Sequence, residues 1–410
     1  MSVTAVTVDG TPLDLAQISY NLKVTHGRSD IQSSPQPGQC VFTYQLPDDS
    51  ETLPINLADS INVKALSIDR FTGQVTDIAV THLASTPPTT FIEITAMGPL
   101  ARLSRFTAGG SGYAADSVQN RVDAILTGTG LAYTAEADPL LNLNAYAANE
   151  TNVQALLQEI CEWTGATLFD TPGGQIYFES YTRRGYSYST ARWDGYVTET
   201  FADIVGAWDE QFTPGTSAPQ TVTIPGSAIV WEPTWATADS TIINEVQVTY
   251  GTASPQATVT YQDTNSISTY DKRATQITTQ LALEADAQRR AQLVLTSQAS
   301  ERYSLGEIQV LMDALDAGTR TNVLNMQEGA RVLIQDLPLP NPTGTSQFLG
   351  VLEGWSELHE DGLWTLGISL SDPRFSYAVI SWAEAPATAT WGGVPNTVTW
   401  SDVILPSDLT

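Results

Sequence analysis

The chain has 410 residues, 42% hydrophobic and 15% charged, with 45 acidic against 18 basic side chains and a net charge of −27. That length exceeds one ordinary core and predicts several domains. The acid excess excludes a protein that grips nucleic acid through its phosphates, because displacing counterions requires Lys and Arg.

The start, MSVTAVTVDG, has neither a basic nor an apolar signal region, which predicts no secretory leader. No apolar run reaches the roughly 20 residues that span a bilayer, so no membrane insertion is expected. Residues 1–100 read as strands: CVFTYQL, SINVKAL, GQVTDIAV and FIEITAM run β-rich between turn clusters such as PDDSE and STPPTT. Their spacing leaves no room for crossover helices and predicts an all-β sandwich or small barrel.

From 101 to 205 the periodicity becomes helical. Val118, Val122, Ile125 and Leu126 share one face, with Asp116 or Ser117 as cap and Gly128 as stop. Val153, Leu156, Leu157, Ile160 and Cys161 repeat the device, capped by Thr151 or Asn152 and ended by Gly165. ATLFDTPGGQIYFES then predicts a hairpin, so this segment reads as a small α+β domain. Cys40 and Cys161, the only cysteines, fall in different predicted domains and read as free buried thiols.

Residues 206–375 return to strands in NEVQVTYG, ATVTYQD, GEIQVLM, ARVLIQDL, QFLGVLEGW and LWTLGISL, interrupted by one helix in LALEADAQRRAQLVLTSQ. The Asp-Gly of HEDGLW is a two-residue hairpin signal. Residues 376–410 form an appended arm in which Trp382, Trp391 and Trp400 recur every nine residues, with Pro386 and Pro395 in step. The prolines exclude a helix and favour an extended spacer. The three indoles are therefore predicted to anchor the arm in apolar grooves of a partner, or on its own second strand-rich domain.

The two strand-rich parts can be superposed by eye. Leu57-Ala-Asp59-Ser-Ile61-Asn-Val63 leads to Phe71-Thr-Gly73-Gln-Val75, and Met326-Gln-Glu328-Gly-Ala330-Arg-Val332 leads to Phe348-Leu-Gly350-Val-Leu352. An acid-bearing turn opens a strand, and the glycine after Phe71 or Phe348 permits a bulge or close approach. Alternation and a glycine are also common to any two barrels. The expected fold is mainly β with an α+β insertion: two related β-barrel domains, a small helix-containing domain between them, and the extended arm.

Chemistry-bearing motifs are scarce. His26, His82 and His359 are scattered, with no H-E-x-x-H spacing, and two cysteines cannot build a structural zinc site. There is no G-x-S-x-G elbow and no Walker loop, and Gly128–Gly130 ends a helix instead of starting one. Acids at 48–51 (Asp48, Asp49 and Glu51) and at Asp313 and Asp316 read as solvated turns before they read as calcium ligands. No catalytic residue, metal or cofactor is expected. A carbohydrate-binding or wall-degrading protein, with exposed tryptophans stacking on sugars, is the competing class.

The order of THGRSDIQSSPQPGQCVFTYQL, FTGQVTDI, TNVQALLQEICEWTGATLFDTPGGQIYFES, SISTYDKRATQITT, MQEGARVLIQDLPLP and FLGVLEGWSELHEDGLWTLGISLSD resembles the tail hub, or minor tail, proteins of long-tailed bacteriophages. The resemblance is strongest to those of actinobacterial phages and more distant to contractile-tail baseplate hubs. It spans about residues 20–375. It implies two tube-type domains per subunit and a homotrimer that presents six near-equivalent modules to a hexameric tail tube. It further implies contacts with distal tail and receptor-binding proteins, a place at the distal end of the virion tail after assembly in the host cytoplasm, and genome DNA passing through without specific binding. An acidic wall would suit that passage, although the same charge also serves solubility.

Overall fold

The computed structural model describes residues 3–29, 33–46, 52–84, 89–138, 141–181, 221–230, 234–237, 241–301, 303–342, 344–360 and 362–371. The tryptophan arm, with Trp382, Trp391 and Trp400, lies outside the described residues.

The amino-terminal part forms strands β1 (Val3–Val8), β2 (Ile18–Gly27), β3 (Gln36–Gln45), β4 (Ser60–Ala65), β5 (Ile68–Leu83) and β6 (Thr89–Met97). Helix α1 (Val118–Thr127) is capped by Ser117, whose side chain accepts from the Asn120 N–H. Helix α2 (Val153–Thr164) is capped by Asn152, and Gly165 ends it with φ 76°. That left-handed turn is cheap only without a Cβ. Strands β7 (Thr167–Asp170) and β8 (Ile176–Glu179) make the hairpin that the Pro-Gly-Gly turn predicts.

The carboxy-terminal part contributes β9 (Val222–Ile224), β10 (Ile229–Val230), β11 (Trp235–Ala236), helix α3 (Glu284–Gln298), β12 (Ser304–Leu305), β13 (Ile308–Leu311) and helix α4 (Ala317–Leu324). Strands β14 (Arg331–Ile334), β15 (Phe348–Glu360) and β16 (Leu363–Ser371) complete it. The last two form the hairpin read from Asp-Gly: Glu360 faces Leu363, and Gly362 has φ 80°.

The expectation of two β-barrels is overturned. The two strand-rich parts join in one 13-stranded sheet, ordered β10-β13-β16-β15-β2-β3-β6-β5-β4-β1 and then Thr11–Pro12, with β14 and β9 branching from the start of β15. Among the described residues no sheet closes on itself. The fold is mixed, with large antiparallel sheets and several helices. The reason is edge selection: alternation specifies which face of a strand is buried but not which neighbour fills its edge. The outer edge of β2 pairs with β15 from the other end of the sequence, so the amino-terminal half is left open.

One apolar core runs beneath the whole sheet, from Val6, Phe42, Ile61 and Phe71 to Val332, Leu352, Trp364 and Ile368. A second core gathers the buried faces of α1 and α2 with β8. It also takes Val246, Val248 and Val259 from the strands Glu245–Tyr250 and Ala257–Gln262, and Ala287, Ala291 and Val294 from α3. These residues lie within 206–375 yet pack in the core of the helical insertion, because the apolar face of α3 (Ala287, Ala291 and Val294) is buried against the strands Glu245–Tyr250 and Ala257–Gln262.

Candidate functional site: the seam and the repeated hairpins

The Phe-x-Gly elements occupy matching positions. In β4–β5, Val63 faces Phe71 and Ile61 faces Gly73. In β14–β15, Ile334 faces Phe348 and Val332 faces Gly350. Relative to the sequence superposition, the first strand is shifted by two residues, which keeps each side chain on its face. A Cβ on Gly73 would meet the Phe71 ring at 2.5 Å, and one on Gly350 would meet the Phe348 ring at 3.0 Å. In both hairpins the phenyl ring two residues earlier lies across the glycine, which therefore cannot carry a side chain.

The correspondence continues outward. Val75 faces Ala96 and Asp77 faces Thr95 across a register shift; Leu352 faces Leu370 and Gly354 faces Ser369 across the same shift. The extra residue is Thr76 in one hairpin and Glu353 in the other, each five positions after its phenylalanine. Beyond the bulge β15 pairs with β2 as well as β16, whereas among the described residues β5 pairs with β6 alone.

The seam between β15 and β2 runs from Gly354 opposite Gly27 to His359 opposite Leu22. Gly27 has φ 78°, and a Cβ there would lie 2.7 Å from the Gly354 Cα. One on Gly354 would lie 2.6 Å from the Arg28 N and O. The backbones touch at this point, and only glycine on both sides allows it.

Two buried ion pairs tie β15 to the amino-terminal half, one to Arg28 just after β2 and one to Arg70 on β5. Arg28 Nε donates to Glu353 Oε2 at 2.7 Å, and Ser371 Oγ donates to Glu353 Oε1. Arg70 Nε donates to Glu357 Oε2 at 2.7 Å and its Nη1 donates to the Leu324 carbonyl at the end of α4. The other Glu357 oxygen accepts from Trp364 Nε1 at 2.9 Å and His359 Nε2 at 2.8 Å. The Arg70 guanidinium lies 4.1 Å from the Trp355 ring centroid, and the His26 ring packs against the same indole with centroids 4.6 Å apart. Burial alone would raise the Glu357 pKa, but the Arg70 charge and the His359 hydrogen bond outweigh it and hold the carboxyl down at about 2. Both carboxylate oxygens of Glu357 and two of the three Arg70 nitrogens have hydrogen-bond partners, which helps a buried pair to be tolerated.

The α+β insertion is fastened to the same region. Asp170, at the end of β7, accepts from the Gly38 N–H at 2.9 Å and the Leu100 N–H at 3.3 Å. His26 Nδ1 stands 3.5 Å from Asp170, while its Nε2 donates to the Arg70 carbonyl at 3.1 Å. Two of the histidines that look scattered in sequence, His26 and His359, lie on facing strands of the seam, opposite Trp355 and Leu22, and His82 lies on β5, bonded to Thr90 at 2.9 Å. The in-phase acids are the signal that sequence reading missed. Glu353, Trp355 and Glu357 alternate on the core-facing side of β15, and an acid on an apolar face with no local base calls for a distant cation.

Nothing at the seam is arranged for turnover. Burial pushes the Cys40 thiol far up, and it pushes Cys161 up to about 12, so both stay protonated and non-nucleophilic. Among the described residues no three His, Cys, Asp or Glu side chains converge as metal ligands. Asp316, one of the turn acids, instead caps α4 by accepting from Gly318 and Thr319. Among the described residues no helix is long and apolar enough to cross a membrane.

No protein-family model matches the sequence, and neither does any curated protein. Solved structures do match in fold. The 43 kDa tail protein of prophage MuSo2 from Shewanella oneidensis superposes with a TM-score of 0.61 at 12% identity, over 92% of this chain and 100% of that one. A tail protein from Neisseria meningitidis gives 0.59 at 15% identity over 92% and 98%. A prophage tail protein from Listeria monocytogenes gives 0.53 at 10% identity over 90% and 94%. The chain shares, at low identity, a fold found in phage tail proteins.

Proposed function

We propose that this chain is a structural, non-catalytic tail component: the hub at the distal end of a long phage tail, built as a homotrimer whose two hairpin modules per subunit offer six near-equivalent faces to a hexameric tube. One observation carries the reading. The same bulged Phe-x-Gly hairpin occurs twice in one continuous sheet, in a chain whose fold matches phage tail proteins over about nine-tenths of its length. A trimer of two-module subunits reproduces sixfold geometry with closed symmetry.

The net charge of −27 supports a conduit that DNA traverses without adhering, since lumen-facing acids repel phosphates within about a Debye length, roughly 8 Å at physiological salt. The arm bearing Trp382, Trp391 and Trp400 would dock on a neighbouring subunit or another tip protein. Electron micrographs of the purified full chain, and of tails carrying it under an affinity label, test the reading. Rings with threefold symmetry at the distal tail end and an acidic lumen are expected. A chain that stays monomeric and binds glycans on an array, or a ring with a basic lumen, would overturn it. Removing residues 380–410 should leave the chain folded and abolish its capture of tip partners.

A further inference from the structure

We infer that the cavity bounded by the end of α2, helix α3 and Arg28 is the socket for the root of this chain's own carboxy-terminal arm, taking the Trp382 indole on its apolar wall and the Glu384 carboxylate at Arg290. The inference rests on the docking role given to the arm above and narrows it. Trp382 anchors within its own subunit, and Trp391 and Trp400 are left for a neighbour or another tip protein.

The cavity measures about 480 Å³, inside the range of pockets that hold small ligands and large enough for an indole. Leu100, Ile243 and Leu293 supply apolar wall, and Arg28, Cys161 and Arg290 border it from the seam, α2 and α3. Cys161 belongs to the apolar stripe of α2, yet it is only partly buried because it faces this space.

Arg290 gives the cavity its chemistry. Its Nε donates to the Glu162 carbonyl at 2.9 Å, and a Cβ on Gly165 would lie 3.2 Å from its Nη1. Among the described residues no carboxylate forms an ion pair with it; Glu162 also borders the cavity, but its side chain is exposed. Burial pushes the Arg290 pKa down to about 10, so the recessed cation already stands at a disadvantage that an incoming anion relieves. Arg28, by contrast, is met by Glu353. In a chain with 45 acids and 18 bases, an acid of the chain itself is the readily available partner for Arg290.

The described chain leaves the sheet beside this space. Ser371, the last residue of β16, donates its Oγ to Glu353, whose other oxygen accepts from Arg28. A single carboxylate thus separates the start of the arm from a wall residue of the cavity. Trp382 stands eleven positions after Ser371. Eleven extended residues reach up to roughly 36 Å. Trp382 and Glu384 are two apart, so an extended backbone presents indole and carboxylate on one side, as an apolar wall beside an unpaired guanidinium requires. Trp391 has Gly393 at that spacing, and Trp400, which has Asp402, stands eighteen positions farther out.

Labelling of Cys161 in the dilute full-length chain by methyl methanethiosulfonate, read by peptide mass spectrometry, tests the socket. Cys40 is fully buried and serves as the internal control for intact folding. Trp382→Ala should speed Cys161 labelling about tenfold or more, since it removes a buried aromatic anchor. Glu384→Gln should speed it about threefold, the loss of one charge-assisted contact. Trp391→Ala and Trp400→Ala should leave it unchanged. Unchanged labelling in Trp382→Ala would overturn the inference and leave the hub reading standing, because no assembly is involved. A rise with Trp400→Ala instead would overturn it, as would a rise with Trp193→Ala, which would give the cavity to residues 182–220. Protection that disappears on dilution would assign the arm to a neighbour's cavity and overturn it as well. As a second route, Ser381→Cys treated with a short thiol-to-thiol cross-linker should join Cys161 within one chain, and the product should vanish when Cys161→Ser is added. Links formed only between chains, or none at all, would overturn the socket.

Discussion

Strands β15 and β5 begin alike and end differently. Both carry Phe-x-Gly, both bulge five residues after the phenylalanine, and both have a long outer half. At matched positions β15 bears Glu353, Trp355 and Glu357, all buried, whereas β5 bears Thr76, Ile78 and Val80. The difference shows what a permanent edge requires. A pairing made inside one chain can bury carboxylates, because Arg28 and Arg70 are always present to meet them. On β5 no such partner cation is needed at the matched positions, because Thr76, Ile78 and Val80 carry no charge whose burial would have to be balanced.

The comparison can be broken most severely at the ion pair. Arg70→Ala strands a fully buried Glu357 and should cost about 3–5 kcal/mol of unfolding free energy, measured by denaturant titration. Replacing both partners together, Arg70→Met with Glu357→Leu, should restore most of that loss. Acid sharpens the same point. Glu357 has its carboxyl held from 4.5 down to about 2, so its contribution is complete above about pH 4.5 and disappears as pH falls toward 2. Thermal unfolding of Glu357→Gln should be less stable near neutrality and show a flatter dependence across that window.

A smaller effect is expected where the seam backbones touch. Gly354→Ala forces a methyl against Arg28 and should cost about 1–3 kcal/mol, read as a lowered midpoint. The smallest belongs to β5 beyond its bulge. Val80→Lys should change the stability of the chain by less than about 0.5 kcal/mol in denaturant titration, because Val80 is 40% exposed. If Val80→Lys destabilised the chain as much as Gly354→Ala, the contrast between the buried half of β15 and the exposed half of β5 would be lost.

Local structure was readable because its causes are local. Ser117 and Asn152 cap α1 and α2, Gly128 and Gly165 end them, and the alternating strands form where their β-branched and aromatic residues stand. The Phe71–Gly73 and Phe348–Gly350 pairs were visible as a recurring pattern, although the two-residue slip of the preceding strand was not, since a shift of two leaves the hydrophobic pattern unchanged. Arg70 and Glu357 are 287 residues apart, so each looked like a solitary charge on an apolar strand. The expected barrels failed at one decision, the partner chosen by the outer edge of β2.

Composition, periodicity and capping thus determined, without any fold in hand, where strands and helices form, which faces they bury, and that one hairpin pattern occurs twice. Tertiary structure alone decided that the halves fuse into a single sheet, that two buried ion pairs tie β15 to the amino-terminal half, and that α3 packs in the core of the insertion. The physical reason is that side-chain alternation is a property of one strand, whereas edge pairing and buried charge balance are properties of two, and here the two stand hundreds of residues apart.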